Sequence, residues 1–122
     1  MSRFIELRDQ AEQEIRAHIR STPSDSGHHF TVDHTNYFLE HGAVLLAALR
    51  LWAESRQKTD ADLRALIDSA NAATLDDIAE ELAQSHNPDA LHASVQLEGI
   101  VFAPPRRLFE TLEFARKGLE QS

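Results

Sequence analysis

The stretch that decides the fold is Ala43-Val44-Leu45-Leu46-Ala47-Ala48-Leu49, continued by Leu51, Trp52 and Ala53. It contains neither Gly nor Pro, and it is apolar on every side of a helical wheel. A helix that is apolar all round has to be surrounded by partners. The segment therefore predicts a central helix over about 36–56. Asp33 or Thr35 would be its N-cap, and Arg50, Glu54 and Arg56 would return it to the surface. Leu45, Leu46, Leu49 and Trp52 are the expected core.

The flanking sequence supplies the partners. Phe4, Leu7, Ala11, Ile15 and Ile19 recur at helical spacing and predict an amphipathic helix over 3–20. Ser21-Thr22-Pro23-Ser24-Asp25-Ser26-Gly27 ends it with turn-forming residues. The brief alternation of Phe30 and Val32 suggests a short extended piece within 28–35. Beyond the central helix, Thr59 or Asp60 opens a third helix with Leu63, Leu66, Ile67 and Ala70 inward. Thr74, with Asp77 three residues on, has the form of a capping box for a fourth, whose stripe is Leu75, Ile78, Ala79 and Leu82. Asn87-Pro88 opens a fifth, Asn as cap and Pro where a missing N–H costs nothing. Gly99 is its expected C′ residue. Leu91, Ala93, Val95 and Leu97 alternate as a strand would, but we read helix to Glu98 and then an extended link into Pro104-Pro105. The last helix is expected over 106–119, with Leu108, Leu112, Ala115 and Leu119 inward. The result is an all-α irregular bundle of five or six helices forming a single helical domain over 1–122.

With 122 residues, such a domain buries roughly two-thirds of the surface its unfolded chain exposes. It holds its core without disulfides, because there is no Cys. The same absence excludes thiol catalysis, Fe–S clusters and thiolate zinc sites. The net charge of −8 argues against nucleic acid and anionic membrane as partners, since both attract cations. Residues 1–8, Met-Ser-Arg-Phe-Ile-Glu-Leu-Arg, lack the pattern of a signal peptide, and no apolar run approaches the ~18 residues of a membrane span. The expected location is cytoplasmic.

Three candidate sites stand out. His28, His29, His34 and His41 cluster with Asp33 and Glu40. Imidazoles and carboxylates are the ligands of zinc and non-haem iron, so the loop 28–41 is the candidate for a metal-dependent protein or enzyme. The spacing matches no metal signature, and polar loop residues give the same composition. We assign no metal or other cofactor. No Gly-rich phosphate loop, GxSxG or nucleophile–base pair occurs either, so the chain reads more as a non-enzyme than as an enzyme.

Residues 90–99, Ala-Leu-His-Ala-Ser-Val-Gln-Leu-Glu-Gly, have a rhythm similar to the helix of histidine-phosphotransfer domains, whose signature is His-x-Leu-Lys-Gly. Leu97 and Gly99 match the Leu and Gly. Val95 stands in place of the phosphorylated His and Glu98 in place of the basic residue, and His92 lies almost a turn away. The resemblance implies a phosphotransfer-like signalling module that lacks the phosphorylated His.

Charge distribution singles out the third candidate. Residues 59–99 hold nine acidic side chains and only Arg64 as a cation. Asp76, Asp77, Glu80 and Glu81 oppose the apolar stripe of the fourth helix, which has no cation of its own. One-signed patches steer oppositely charged partners. The leading expectation is a small acidic binding or regulatory protein, such as an inhibitor, immunity-type factor, chaperone or adaptor. It would dock a basic partner surface through the 59–99 helices. The wide apolar stripes also fit a homodimer, although a packed core absorbs them equally well.

Overall fold

A computed structural model describes residues 3–21, 32–85, 87–102 and 105–119. Within them lie six helices: α1 (Arg3–Ser21), α2 (Val32–Arg56), α3 (Asp60–Ser69), α4 (Ala72–Gln84), α5 (Pro88–Val101) and α6 (Pro105–Leu119). There is no strand among the described residues, and the protein is all-α. Its helices pack against one another as a bundle. Of the segment read as extended, residues 28–31 lie outside the described residues, and 32–35 are the first turn of α2.

The apolar run Ala43–Leu49 makes α2 the hub, in contact with every other helix. Leu45, Leu46, Ala47, Ala48 and Leu49 have no exposed surface. They meet Phe4, Leu7, Ala11 and Ile15 of α1, Leu97 and Ile100 of α5, and Leu112, Ala115 and Leu119 of α6 in one continuous core. At Gly42 the backbones of α2 and α6 come close: a Cβ there would lie 2.8 Å from the Phe114 Cβ and 3.3 Å from the Ala115 nitrogen. Helix α2 stops at Gln57, whose φ of 56° is left-handed. Lys58 N–H then donates back to the Ala53 carbonyl at 3.1 Å, the 6→1 closure of a helix terminus.

Several boundaries differ from the sequence reading. Helix α2 starts at Val32, not near 36, so Asp33 and Thr35 lie inside it. No Gly or Pro interrupts 32–36, and an acid in the first turn favours the helix dipole. Helix α4 starts at Ala72 with Asn71 as its N-cap; the Asn71 side-chain oxygen accepts from Thr74 N–H at 2.9 Å. Two alanines, the best helix formers, extend the helix back to a better cap. The capping box is found one helix earlier, where the Thr59 hydroxyl accepts from Asp62 N–H and the Asp62 carboxylate accepts from Thr59 N–H. Helix α5 runs through Gly99 to Val101, because Ile100 is buried at 3% exposure and that burial outweighs the ~1 kcal/mol a helical Gly costs. The link beyond Val101 is therefore shorter than expected, and Ala103 and Pro104 lie outside the described residues.

Two core assignments also change. Trp52 is only partly buried. Arg50 does not reach open surface: its side chain is 11% exposed. Its guanidinium makes two hydrogen bonds to Glu14 of α1, at 2.6 and 3.1 Å, and lies 3.6 Å from Asp60.

Candidate functional site

Helix α4 buries Leu75, Ile78, Ala79 and Leu82, which leaves its four acids on the remaining surface. Asp77, Glu80 and Glu81 are exposed and Asp76 is half-buried. These four do not act as a set. Glu81 is held by α2: its Oε2 accepts the Trp52 indole N–H at 2.6 Å, and its Oε1 lies 3.1 Å from Arg56. Arg56 and Lys58 both stand over the Trp52 ring, 5.4 and 5.7 Å from its centre. Glu81 thus closes an interhelical clamp, and the uncompensated field expected of all four acids is narrowed to Asp76, Asp77 and Glu80.

The rest of the acidic segment is similarly divided. Asp60 faces Arg50, Asp62 closes the α3 capping box, and Asp68 lies 3.0 Å from Arg116. The Asp89 carboxylate accepts from the Phe4 N–H at 2.8 Å. Arg64, the only cation in the sequence of 59–99, donates to the Leu119 carbonyl at 2.8 Å. Among the described residues, Asp76, Asp77, Glu80 and Glu98 have no cationic or hydrogen-bonding side-chain partner.

Asp76, Glu80 and Glu98 border a feature absent from the sequence reading. The Ser94 hydroxyl of α5 donates to the Ala79 carbonyl of α4 at 2.7 Å, which fixes the seam between the two helices. At 3.6 residues per turn, Asp76 borders that seam on α4, three residues before Ala79. Leu91 and Glu98 border it on α5, three before and four after Ser94. Val95 and Phe102 continue outward from Leu91 on the same side of α5. Leu91 is 52% exposed, Val95 57% and Phe102 81%. The face is an apolar stripe on α5 with carboxylates along its α4 side. The signal was present in the sequence: α5 has apolar residues opposite its own buried stripe of Ala90, Ala93, Leu97 and Ile100. The sequence reading took this stretch as helix to Glu98 but did not assign Leu91 and Val95 to an outer face.

The histidines are not brought into one described site. His28 and His29 lie outside the described residues. His34 and His41 are both on α2, two turns apart, but the His34 side chain is not among the described ones. His41 is half-buried beside Glu40, Gln96 and Gly99. No group of three or more potential metal ligands occurs among the described residues. His92, on the helix with the phosphotransfer-like rhythm, is exposed, with its ring edge-on to Phe4 at 5.1 Å between centres. It lines a groove of about 420 Å³ between α1, α2 and α5, together with Arg8, Glu12, Arg16, Glu40 and Gln96. Arg16 and Glu12 pair within that groove at 2.8 Å, and its described side chains include no Ser, Thr or Lys to act as a nucleophile. No described helix is long and apolar enough to cross a membrane. No family model, curated protein or solved structure matches the chain.

Proposed function

We propose that the chain is a binding protein, an inhibitor, immunity-type factor, chaperone or adaptor, that docks a basic protein surface through the outer face of α4 and α5. The observation that carries this reading is the split among the acids. Asp60, Asp62, Asp68, Glu81 and Asp89 are engaged within the chain, whereas Asp76, Asp77 and Glu80 share one helix face and pair with no cation among the described residues. Like charges held together without counter-charge repel one another, and an incoming Lys- or Arg-rich surface relieves that repulsion. Such a field acts chiefly on association rate and on the choice of partner.

The test is affinity capture from the native cell extract with wild type and with Asp77→Lys/Glu80→Lys, whose side chains are exposed and form no hydrogen bond or ion pair among the described residues. The partner should be cross-linked to α4 in wild type and lost from the reversed variant. Binding should weaken between 0.1 and 1 M salt, as the Debye length falls from ~10 to ~3 Å. Equal capture by both proteins, indifferent to salt, would overturn the proposal.

A further inference from the structure

We infer that the segment of the partner that seats on this face is a basic amphipathic helix, laid along α5 with its apolar side on Leu91, Val95 and Phe102 and its Lys and Arg toward Asp76, Glu80 and Glu98. The inference rests on the basic-partner reading and adds the shape of the ligand.

Length, relief and charge each support it. Leu91 to Phe102 spans twelve residues, roughly 16 Å at 1.5 Å per step, or three turns of a docking helix. The three apolar side chains form a line, which suits anchors recurring at helical spacing on the ligand. Between Val95 and Phe102 lies Gly99, where a Cβ would meet nothing within 4 Å. No described residue requires a glycine at that exposed position in the last turn of α5, and a glycine there lets a second backbone approach closely. Charge selects among occupants. A second copy of this chain, seated by the same face about a two-fold axis perpendicular to α5, would bring its acidic edge of Asp76, Glu80 and Glu98 beside this copy's own. An anionic bilayer is repelled in the same way. A helix with a cationic polar side meets both the stripe and its border.

Three fluorescent peptides test this: one with Leu at helical spacing and Lys between, the same peptide with Glu for Lys, and a scrambled Leu/Lys peptide that cannot form an apolar side. Anisotropy gives affinity, and amide chemical shifts locate the site. The helical Lys peptide should bind and shift Leu91, Val95, Gly99 and Phe102. Leu91→Gln/Val95→Gln should weaken it about tenfold or more. Gly99→Gln should do the same while raising the melting temperature, which separates blocked docking from unfolding. If the scrambled peptide binds equally and these variants change nothing, the helix is overturned and the basic partner stands. If the Glu peptide binds as well as the Lys peptide, both readings fall. Absence of binding by the helical Lys peptide, or a dimer in sedimentation that Leu91→Gln/Val95→Gln dissociates, also overturns the inference.

Discussion

The carboxylate of Asp89 caps a helix to which it does not belong. Asp89 stands in the first turn of α5, where its own N–H donates to the Asn87 side chain at 2.8 Å. Its Oδ2 accepts from the N–H of Phe4, in the first turn of α1, also at 2.8 Å. One negative charge therefore sits where the positive ends of two helix dipoles converge, and it satisfies one of the free N–H groups in the first turn of α1. Asp89→Ala is expected to cost about 1 kcal/mol, the usual worth of an N-cap. Asp89→Asn should cost less, because it keeps the acceptor. Denaturation curves measure the loss, and amide exchange should accelerate first at Phe4. Unchanged exchange there would show that the bond does not anchor α1.

The clamp between Trp52 and Glu81 gives two of the exposed acids of α4, Glu81 and Asp77, different roles. Glu81→Ala removes the acceptor of the indole N–H and the partner of Arg56, so a loss of roughly 1–2 kcal/mol is expected. Asp77→Ala, with no contact to lose, should stay within about 0.5 kcal/mol of wild type. The emission of Trp52, the chain's single tryptophan, should change in Glu81→Ala and not in Asp77→Ala. Identical stabilities would mean that Glu81 is as solvated as its neighbour.

Period and composition were enough to read the architecture, because α2 carries an apolar run that no other environment would tolerate. The stripes of α1, α3, α4 and α6 then had one place to go. What periodicity could not supply was pairing across helices. Arg50 looks like a surface residue until Glu14, thirty-six positions earlier, is placed opposite it. Glu81 looks equivalent to Asp77 until Trp52 arrives from α2. Helix ends failed for a related reason: they depend on small differences between neighbouring caps, as between Asn71 and Thr74, or on a distant contact, as the burial of Ile100 extends α5 past Gly99. The candidate face was half legible. Its acids were visible as a charge count, but Leu91, Val95 and Phe102 become an exposed stripe only once α5 has chosen which side to bury.

Two glycines on neighbouring helices should respond in opposite directions to the same substitution. At Gly42 a methyl group would press on the Phe114 Cβ and on α6 backbone, at 2.8–3.4 Å. Backbone cannot swing aside, so Gly42→Ala should destabilise by about 1–3 kcal/mol, the cost of overpacking. At Gly99 the methyl enters open space on a helical backbone, and Gly99→Ala should stabilise by about 0.5–1 kcal/mol. Thermal melts of the two variants suffice. A loss in Gly99→Ala would mean that a neighbour fills the space above α5.

The α3 capping box has a pH signature. The Thr59 backbone N–H, and then its hydroxyl, donate to the Asp62 carboxylate and hold it below the usual 3.8; Lys58 adds to the shift. A carboxyl depressed in the folded state contributes stability above its unfolded pKa and loses it as pH falls through the folded value. The contribution should be intact at pH 5 and disappear in the acid range below about 4. Asp62→Asn should flatten that part of the acid limb. Carboxyl NMR titration reads the group directly, and a midpoint at or above 3.8 would contradict the geometry.

The ion pair between Arg50 and Glu14 joins α1 to α2 at the edge of the core, and its two halves should not behave alike when removed separately or together. Burial disfavours the Arg50 charge, but Glu14 first and Asp60 second more than offset this, so its pKa rises and it stays cationic. Glu14→Leu leaves that cation with Asp60 alone, at 3.6 Å. The loss should reach about 2–3 kcal/mol, below the ~3–5 of a fully buried pair, because Glu14 itself remains 24% exposed. Arg50→Met/Glu14→Leu removes both desolvation penalties and adds apolar area between helices already packed at Ala11, Ile15 and Leu46, and such replacements are often neutral or stabilising. The double variant should therefore be more stable than Glu14→Leu alone, by more than additivity of the single changes allows. Urea unfolding of wild type, both single variants and the double variant closes the cycle. A coupling energy near zero would show that the two charges are held by their own helices and not by each other.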